Sequence, residues 1–212
     1  MTYYIPTKIY FGNDGFLDNL NNTVKQYSAK RVFLVSGKNF VRRTGLLDII
    51  LKTLDSYKVL IYDDVAPSPK LEDINNAKIK SEEFNPDLII GIGGGSVLDT
   101  GKIISIMTNN KMPILDYVGN KELAKSKIPF IAIPTTAGTG SEVTPFATFY
   151  YNKRKQSFGE IKDYLVYPDQ AIVNPDLTLT MPRELTASSG LDALSQAFES
   201  YWSTNSNPLS DT

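Results

Sequence analysis

Short, continuous apolar runs alternate along the chain with segments whose apolar residues recur at helical spacing. Continuous runs predict strands that are buried on both faces, and the helical spacing predicts amphipathic helices. The predicted strands cover residues 31–35, 58–62, 87–92 and 130–133, and the predicted helices cover residues 46–54, 71–84 and 97–108. Strands that alternate with helices in this way predict an α/β fold, a parallel sheet flanked by helices.

The pattern changes near Pro182. From Thr186 to Trp202 it is helical throughout, and no strand pattern follows. We therefore expect an α/β domain over residues 1–183 and the first helical segment of a second, helical domain over residues 184–212. Asn207 and Pro208 are residue types typical of a helix N-cap and of the first helical position, so they predict a further helix. Because that helix has no room to continue, we expect the second domain to be truncated.

Composition narrows the possible partners. The chain has 212 residues, 42% of them hydrophobic, and a formal net charge of -1. This is enough material for one sizeable core, and the near-neutral charge gives no electrostatic reason to expect nucleic acid or an anionic membrane as a partner. No apolar run approaches the length of a membrane span, and the first residues lack the pattern of a secretory signal. We expect a cytoplasmic location.

The sequence contains neither cysteine nor histidine. The chain therefore supplies no zinc-thiolate site, no thiol nucleophile, no Ser-His-Asp triad and no imidazole base. Any catalysis must depend on a bound cofactor, on carboxylates, lysine and tyrosine, or on groups supplied from elsewhere.

A glycine turn, residues 93–96, joins the predicted strand 87–92 to the predicted helix 97–108. Glycine permits positive φ and a close approach of the backbone to a ligand. The first amides of the helix and its dipole favour an anion, so the turn predicts a diphosphate site. Ser96 stands where the G-x-G-x-x-G pattern has its third glycine, and a turn without a ligand remains an alternative.

A threonine loop, residues 134–144, follows the predicted strand 130–133 and is rich in Thr, Ser and Gly. Its hydroxyls and amides suit hydrogen bonding to a nucleotide, although such a composition is also common in ordinary loops. Ligands of open α/β sheets lie in the crevice at the carboxyl ends of the strands. Two such segments at the ends of two core strands predict a nucleotide cleft.

Together the two segments resemble the iron-containing (group III) alcohol dehydrogenase family, whose hallmarks are a GGGS-x-x-D-x-x-K turn and a PTTAGTGSE-x-T loop. Residues 6–12 resemble the family's first strand, residues 174–177 the segment before its domain junction, and residues 190–194 its metal-site helix. The resemblance implies a Rossmann-like half that binds NAD(P), followed by a helical half that binds a metal, as in the dehydroquinate synthase-like architecture.

The resemblance also implies roles for individual residues. It assigns residues of the glycine turn to the cofactor diphosphate, Asp99 to the nicotinamide side of the cleft, and three threonines to cofactor contacts. Lys155 matches a cofactor-contacting lysine more weakly, and a solvated charge in a hairpin is its alternative. The implied cofactor-binding residues are Gly37, Gly94, Gly95, Ser96, Asp99, Thr135, Thr136, Thr139 and Lys155.

The residue after the strand 31–35 bears on the choice of cofactor. A carboxylate at this point, present in many members of the family, accepts hydrogen bonds from the ribose 2′-OH and repels a 2′-phosphate. This chain has Gly37 there, between Ser36 and Lys38, which could help to hold a phosphate. We therefore expect NADP rather than NAD.

Asp192 and Gln196 are four residues apart and share one helix face. The resemblance implies that Asp192 is a metal ligand and the catalytic residue of this chain, and it places Gln196 where the family usually has a histidine. An amide oxygen is a weaker ligand than imidazole for Fe(II) or Zn(II), and a solvated polar stripe is the alternative. The implied ion is divalent, Fe(II) rather than Zn(II), and these two residues alone cannot hold it tightly.

The activity implied by the resemblance is hydride transfer between NAD(P)H and a small alcohol or aldehyde. Residues 199–203 also resemble the subgroup that reduces phosphonoacetaldehyde. The alternatives are a glycerol dehydrogenase-like or dehydroquinate synthase-like enzyme, a non-catalytic nucleotide-binding fragment, and a structural partner in an assembly. We expect no nucleic acid or membrane partner, and a homo-oligomer formed through the strand near Ile9 is possible.

Overall fold

A computed structural model describes residues 4–38, 40–110, 112–119, 126–152, 157–208 and 210. Six strands form a parallel sheet in the order β1-β8-β5-β4-β2-β3, and the two others pair as an antiparallel hairpin. The strands are β1 (Lys8–Phe11), β2 (Arg31–Gly37), β3 (Lys58–Val65), β4 (Leu88–Gly93), β5 (Phe130–Pro134), β6 (Phe146–Asn152), β7 (Ser157–Lys162) and β8 (Gln170–Val173).

Helices cover both faces of the sheet, which confirms the predicted α/β class. They are α1 (Phe16–Gln26), α2 (Phe40–Arg43), α3 (Leu46–Thr53), α4 (Leu71–Phe84), α5 (Gly95–Met107) and α6 (Arg183–Trp202). Alternate residues of β2 and β4 point to opposite faces: Leu34 and Ile90 pack with α1 and α3, whereas Phe33 and Ile89 pack with α4 and α5. Burial on both faces explains why these strands are continuous apolar runs.

The predicted elements agree with the structure to within a few residues, and several elements have no counterpart in the prediction. β2 and β3 extend beyond the predicted strands, to Gly37 and Val65, and α5 begins at Gly95. The apolar pattern predicted neither α1 nor β8. Ser210 donates its N–H to the carbonyl of Asn207 at 2.8 Å in a turn, where the sequence predicts the start of a helix.

The β6–β7 hairpin packs against the side of α5 that faces away from the sheet. Ala147, Phe149 and Ile161 of the hairpin share a buried cluster with Ile103 and other residues of α5. Most of the 13 residues of α5 are buried as a result. Because α5 is buried on most sides, it lacks the solvent-exposed polar stripe of an amphipathic helix.

The ring of Phe130 on β5 lies between β4 and α5, at two glycines. A Cβ placed on Gly91 would lie 2.8 Å from the ring, and one placed on Gly101 would lie 2.5 Å from it. Both separations are shorter than real carbon contacts. These glycines are therefore required by the packing of helix on sheet.

The substitution Gly101→Ala tests this packing. It should lower the free energy of unfolding by about 1–2 kcal/mol, because overpacking of about 1–3 kcal/mol exceeds the gain in helix propensity. The control is Gly190→Ala on α6, where a Cβ would meet nothing within 4 Å; it should leave stability unchanged or raise it. Chemical denaturation of both variants gives the comparison, and equal stabilities would contradict the role of Gly101.

The helix α6 is far more exposed than the sheet. α6 follows a short 3₁₀ helix, Pro175–Thr178, and none of its residues is buried. Its contact with the α/β part includes a close approach at Gly138, where a Cβ would lie 2.6 Å from the carbonyl oxygen of Ser189. The domain boundary near residue 183 stays a prediction.

Candidate functional site

A cleft of about 640 Å³ lies at the carboxyl ends of β4 and β5. Its walls are the loop after β3, the first turns of α5, the threonine loop, the β6–β7 hairpin and α6. Six of the residues predicted from the sequence line it together: Gly95, Ser96, Asp99, Thr139, Asp192 and Gln196. The structure thus brings the glycine turn, the threonine loop and the helix of Asp192 and Gln196 to one cavity.

The other predicted residues lie beside the cleft or elsewhere. Gly94 is the N-cap of α5, and Thr136 packs against it. Thr135 is buried and donates its N–H to the carbonyl of Gly93 at 3.0 Å. Gly37 is outside the lining, and Lys155 lies outside the described residues.

The glycine turn does not use positive φ. Gly94 has φ −78° and ψ −176°, and Gly93 and Gly95 are not among the described residues with positive φ. Its glycines provide space instead: a Cβ on Gly94 would lie 3.1 Å from Thr136, and one on Gly95 would lie 3.0 Å from Thr139. The backbone of the glycine turn therefore packs directly against the threonine side chains of the loop.

The start of α5 has the features of an anion site. The carbonyl of Gly94 accepts the N–H groups of Val97 and Leu98 at 2.9 and 3.1 Å. The amides of Gly95 and Ser96 precede the first intrahelical donor, and both residues line the cleft. Helix-terminal amides and the positive end of the helix dipole favour a bound phosphate at this position.

Asp99 uses both carboxylate oxygens to hold the walls of the cleft together. Ser141 Oγ donates to Oδ1 at 2.6 Å, and the N–H and Oγ1 of Thr148 each donate to Oδ2 at 3.0 Å. The resemblance implies a place for Asp99 beside the nicotinamide. In the structure it lies in the cleft wall and bridges α5, the threonine loop and β6.

Lys102 is a functional candidate that the sequence reasoning missed. Its ammonium is buried and donates to Ser141 Oγ at 2.8 Å, Thr144 Oγ1 at 3.1 Å and the carbonyl of Phe146 at 2.8 Å. Burial lowers the pKa of Lys102 to about 8, against the opposing effects of the carboxylates of Asp99 and Glu142. The available signal was the place of Lys102 as the lysine that ends the GGGS-x-x-D-x-x-K pattern.

Asp192 and Gln196 lie on the cleft face of α6, and they bond to each other. Gln196 Nε2 donates to Asp192 Oδ2 at 2.9 Å. A search of the described residues finds no group of three or more His, Cys, Asp or Glu that could hold a metal ion. This helix thus places two oxygen-bearing side chains, a carboxylate and an amide, at the cleft.

The carboxyl end of β2 carries polar groups next to Gly37. The hydroxyl of Ser36 is buried and has no hydrogen-bond partner among the described residues. Lys38 Nζ pairs with Asp64 Oδ1 at 2.5 Å on the surface. A Cβ placed on Gly37 would lie 3.7 Å from the nearest atoms of Val65 and Val97, so a side chain can be accommodated there.

α6 also has an apolar face, which helical spacing places away from the cleft. Leu191, Leu194, Phe198 and Trp202 are exposed on it, and the rings of Phe198 and Trp202 stack at 6.0 Å. Within the described part of the chain, no helix is long and apolar enough to cross a membrane.

Comparison with known proteins identifies relatives over nearly the whole chain. Long-chain-alcohol dehydrogenase 1 of Geobacillus thermodenitrificans is 39% identical over 202 residues, 93% of this chain and 50% of the relative. NADPH-dependent butanol dehydrogenase of Clostridium saccharobutylicum is 34% identical over 217 residues, 100% of this chain and 54% of the relative.

Comparison with solved structures also finds an oxidoreductase of similar fold. Sulfoacetaldehyde reductase from Bifidobacterium kashiwanohense in complex with NAD+ matches with a TM-score of 0.90 and 29% identity, over 98% of this chain and 55% of that chain. This chain therefore spans about half the length of the relatives that it matches.

The family described as iron-containing alcohol dehydrogenase matches residues 6–175, a range that includes the glycine turn, Asp99, Lys102 and the threonine loop. The family resemblance found in the sequence is confirmed by this match. The chain belongs to the iron-containing alcohol dehydrogenase family.

Proposed function

We propose that this chain forms the cofactor-binding part of an NAD(P)-dependent alcohol dehydrogenase that interconverts a small alcohol and its aldehyde. The observation that carries the proposal is the single cleft in which the glycine turn, the threonine loop and Asp192 meet. Alcohol dehydrogenases among the relatives support it. Because the chain spans about half of their length, the activity is proposed for the whole protein.

The cleft offers hydrogen-bonding groups suited to a dinucleotide, although its described lining carries no lysine or arginine for the diphosphate. Gly95 and Ser96 present helix-terminal amides for the diphosphate, and Thr139 adds a hydroxyl on the facing wall. The buried hydroxyl of Ser36, which has no hydrogen-bond partner among the described residues, lies outside the lining of the cleft, at the end of β2. When bound, the nicotinamide supplies the hydride, and the residues of this chain bind and orient the cofactor.

The described residues fit only part of a metal site. Asp192 and Gln196 offer two oxygen ligands, whereas a catalytic metal generally has three protein ligands. We keep both residues as proposed ligands, with Fe(II) favoured by the family, and the remaining ligands must come from outside the described residues.

NADP is the cofactor that the end of β2 favours. Gly37 carries no charge to repel a 2′-phosphate, and the buried hydroxyl of Ser36 lies next to it. The ion pair of Lys38 with Asp64 opposes this preference, because it offsets the cation that a phosphate would use. Relatives include an NADPH-dependent enzyme and a complex with NAD+, so the choice depends on this chain's own residues.

Phosphonoacetaldehyde remains a predicted substrate without further support. The described cleft lining contains the carboxylates of Asp99, Glu160, Asp192 and Glu199 and no lysine or arginine. An anionic substrate would therefore need cations from outside these residues. The exposed apolar face of α6 supports a second candidate function, a structural role in an assembly with another chain.

Titration with NADPH and with NADH tests the cofactor proposal. Energy transfer from tyrosine and the single tryptophan, Trp202, reports binding. We expect saturable binding that is tighter for NADPH. Gly95→Asp should weaken it at least about tenfold, because its side chain collides with Thr139 and its carboxylate repels the diphosphate at the start of α5. The matched control is Gly190→Ala, which meets no neighbour. Equal binding by the Gly95 variant and the wild type would refute the assigned diphosphate site.

Gly37→Asp tests the proposed cofactor preference. The new carboxylate should accept the ribose hydroxyls of NADH and repel the 2′-phosphate, so the ratio of NADPH to NADH affinity should fall about tenfold or more. Gly37→Asn has the same shape without the charge and should change this ratio much less. An unchanged ratio in the Asp variant would show that the end of β2 does not face the adenosine ribose.

Metal titration by calorimetry tests the proposed ligands. The wild type should bind Fe(II) weakly, Gln196→His should bind it about tenfold more tightly, and Asp192→Asn should lose the binding. Glu199→Gln is the control, since this carboxylate lines the same cleft. If the Asp192 and Glu199 variants behave alike, Asp192 has no special part in binding the ion.

A further inference from the structure

Lys102 has a buried ammonium group that the proposed cofactor contacts do not use. Its side chain has no solvent exposure, and it lies within α5 and outside the lining of the cleft. Burying a charge is costly unless the charge is paired and hydrogen-bonded. The buried ammonium of Lys102 must therefore be hydrogen-bonded to compensate for the cost of burial. Its hydrogen-bond acceptors indicate which part of the structure Lys102 stabilises.

The three acceptors of Lys102 belong to segments that α5 must hold in place. Ser141 and Thr144 lie at the end of the threonine loop, and Phe146 begins β6. One side chain thus ties the helix to the loop and to the hairpin. The three bonds are 2.8–3.1 Å long and fill the donor capacity of an ammonium.

Asp99 completes the network one turn earlier in α5. Its carboxylate is 3.6 Å from Lys102 Nζ, and both side chains bond to the hydroxyl of Ser141, which accepts from the lysine and donates to the aspartate. The N–H of Ser141 donates to Thr139 Oγ1 at 3.2 Å, and Thr139 packs against Gly95. The position of Thr139 in the cleft therefore depends on how Ser141 is held.

We propose that Lys102 is a positioning residue of the cofactor cleft: it holds Ser141, and through it Thr139 and Asp99, in the arrangement that binds the dinucleotide. The proposal rests on the proposed function of the cleft. It assigns Lys102 no contact with cofactor or substrate. A merely structural lysine would change stability, whereas a positioning lysine also changes cofactor affinity and local order in the loop.

The variant Lys102→Met keeps the apolar stem and removes the ammonium, which leaves three acceptors without their donor. The matched control is Lys127→Met at the amino end of β5, where the lysine bonds to the Tyr167 carbonyl and pairs with Asp169. The experiment measures the NADPH dissociation constant, thermal unfolding, and amide hydrogen exchange over residues 139–148 in the absence of cofactor.

We expect Lys102→Met to weaken NADPH binding at least about tenfold and to speed exchange in the loop, because buried acceptors lose their partner. Lys127→Met should bind within about twofold of the wild type. Wild-type affinity in a folded Lys102→Met, or equal losses in both variants, overturns the positioning role. If the wild type binds neither cofactor, the proposed function itself fails, and the positioning role fails with it.

A second pair of variants decides the question if Lys102→Met does not fold. Thr144→Val removes one acceptor and keeps the ammonium, whereas Thr144→Ser keeps the hydroxyl. The valine variant should exchange faster over residues 139–148 without cofactor and bind NADPH several-fold more weakly, and the serine variant should resemble the wild type. Equal exchange in the two variants overturns the proposal, since a hydroxyl that only contacted the cofactor would not order the loop in its absence.

Discussion

The close packing of α5 on both sides is the constraint on which the rest of this structure depends. The helix lies between the sheet and the β6–β7 hairpin, and its contacts with Phe130 and with the threonine loop are made at glycines. A side chain at Gly101 would push the helix from the sheet, and one at Gly94 or Gly95 would push it from the loop. The geometry of the cleft therefore follows from helix packing before any ligand is considered.

Hydrogen bonds of Lys102 and Asp99 add to this packing and hold the loop and the hairpin against α5. Lys102 and Asp99 sit on the side of α5 that meets the loop and the hairpin, and every acceptor or donor they use belongs to those two segments. Such a network is stable only when every member is satisfied, because an unpaired group in a low-dielectric interior is costly. This explains why hydroxyl residues occupy the loop at Ser141 and Thr144, positions whose side chains face the helix.

Apolar periodicity predicted β2 to β5 and the helices α3 to α5. The strands β2, β4 and β5 are buried along nearly their whole length, and α3 and α4 bury residues at helical spacing. Apolar periodicity failed for β8, which places a glutamine in the interior: Gln170 is satisfied by Thr23, Gln26 and Tyr27. The cleft could be predicted because parallel strands end at one edge of a sheet. The contacts of Lys102 could not, because its partners are 39–44 residues away in sequence and only the fold brings them together.

α6 carries polar residues on one face and exposed apolar residues on another. Residues 192, 196 and 199 fall on the face that lines the cleft, while Leu191, Leu194, Phe198 and Trp202 fall on another face and remain exposed. The same helix therefore presents polar side chains to the cleft and apolar side chains away from it. The backbones of α6 and the threonine loop approach closely where Ser189 meets Gly138, because Gly138 has no side chain. This backbone contact fixes how near α6, and with it Asp192, lies to the threonine loop.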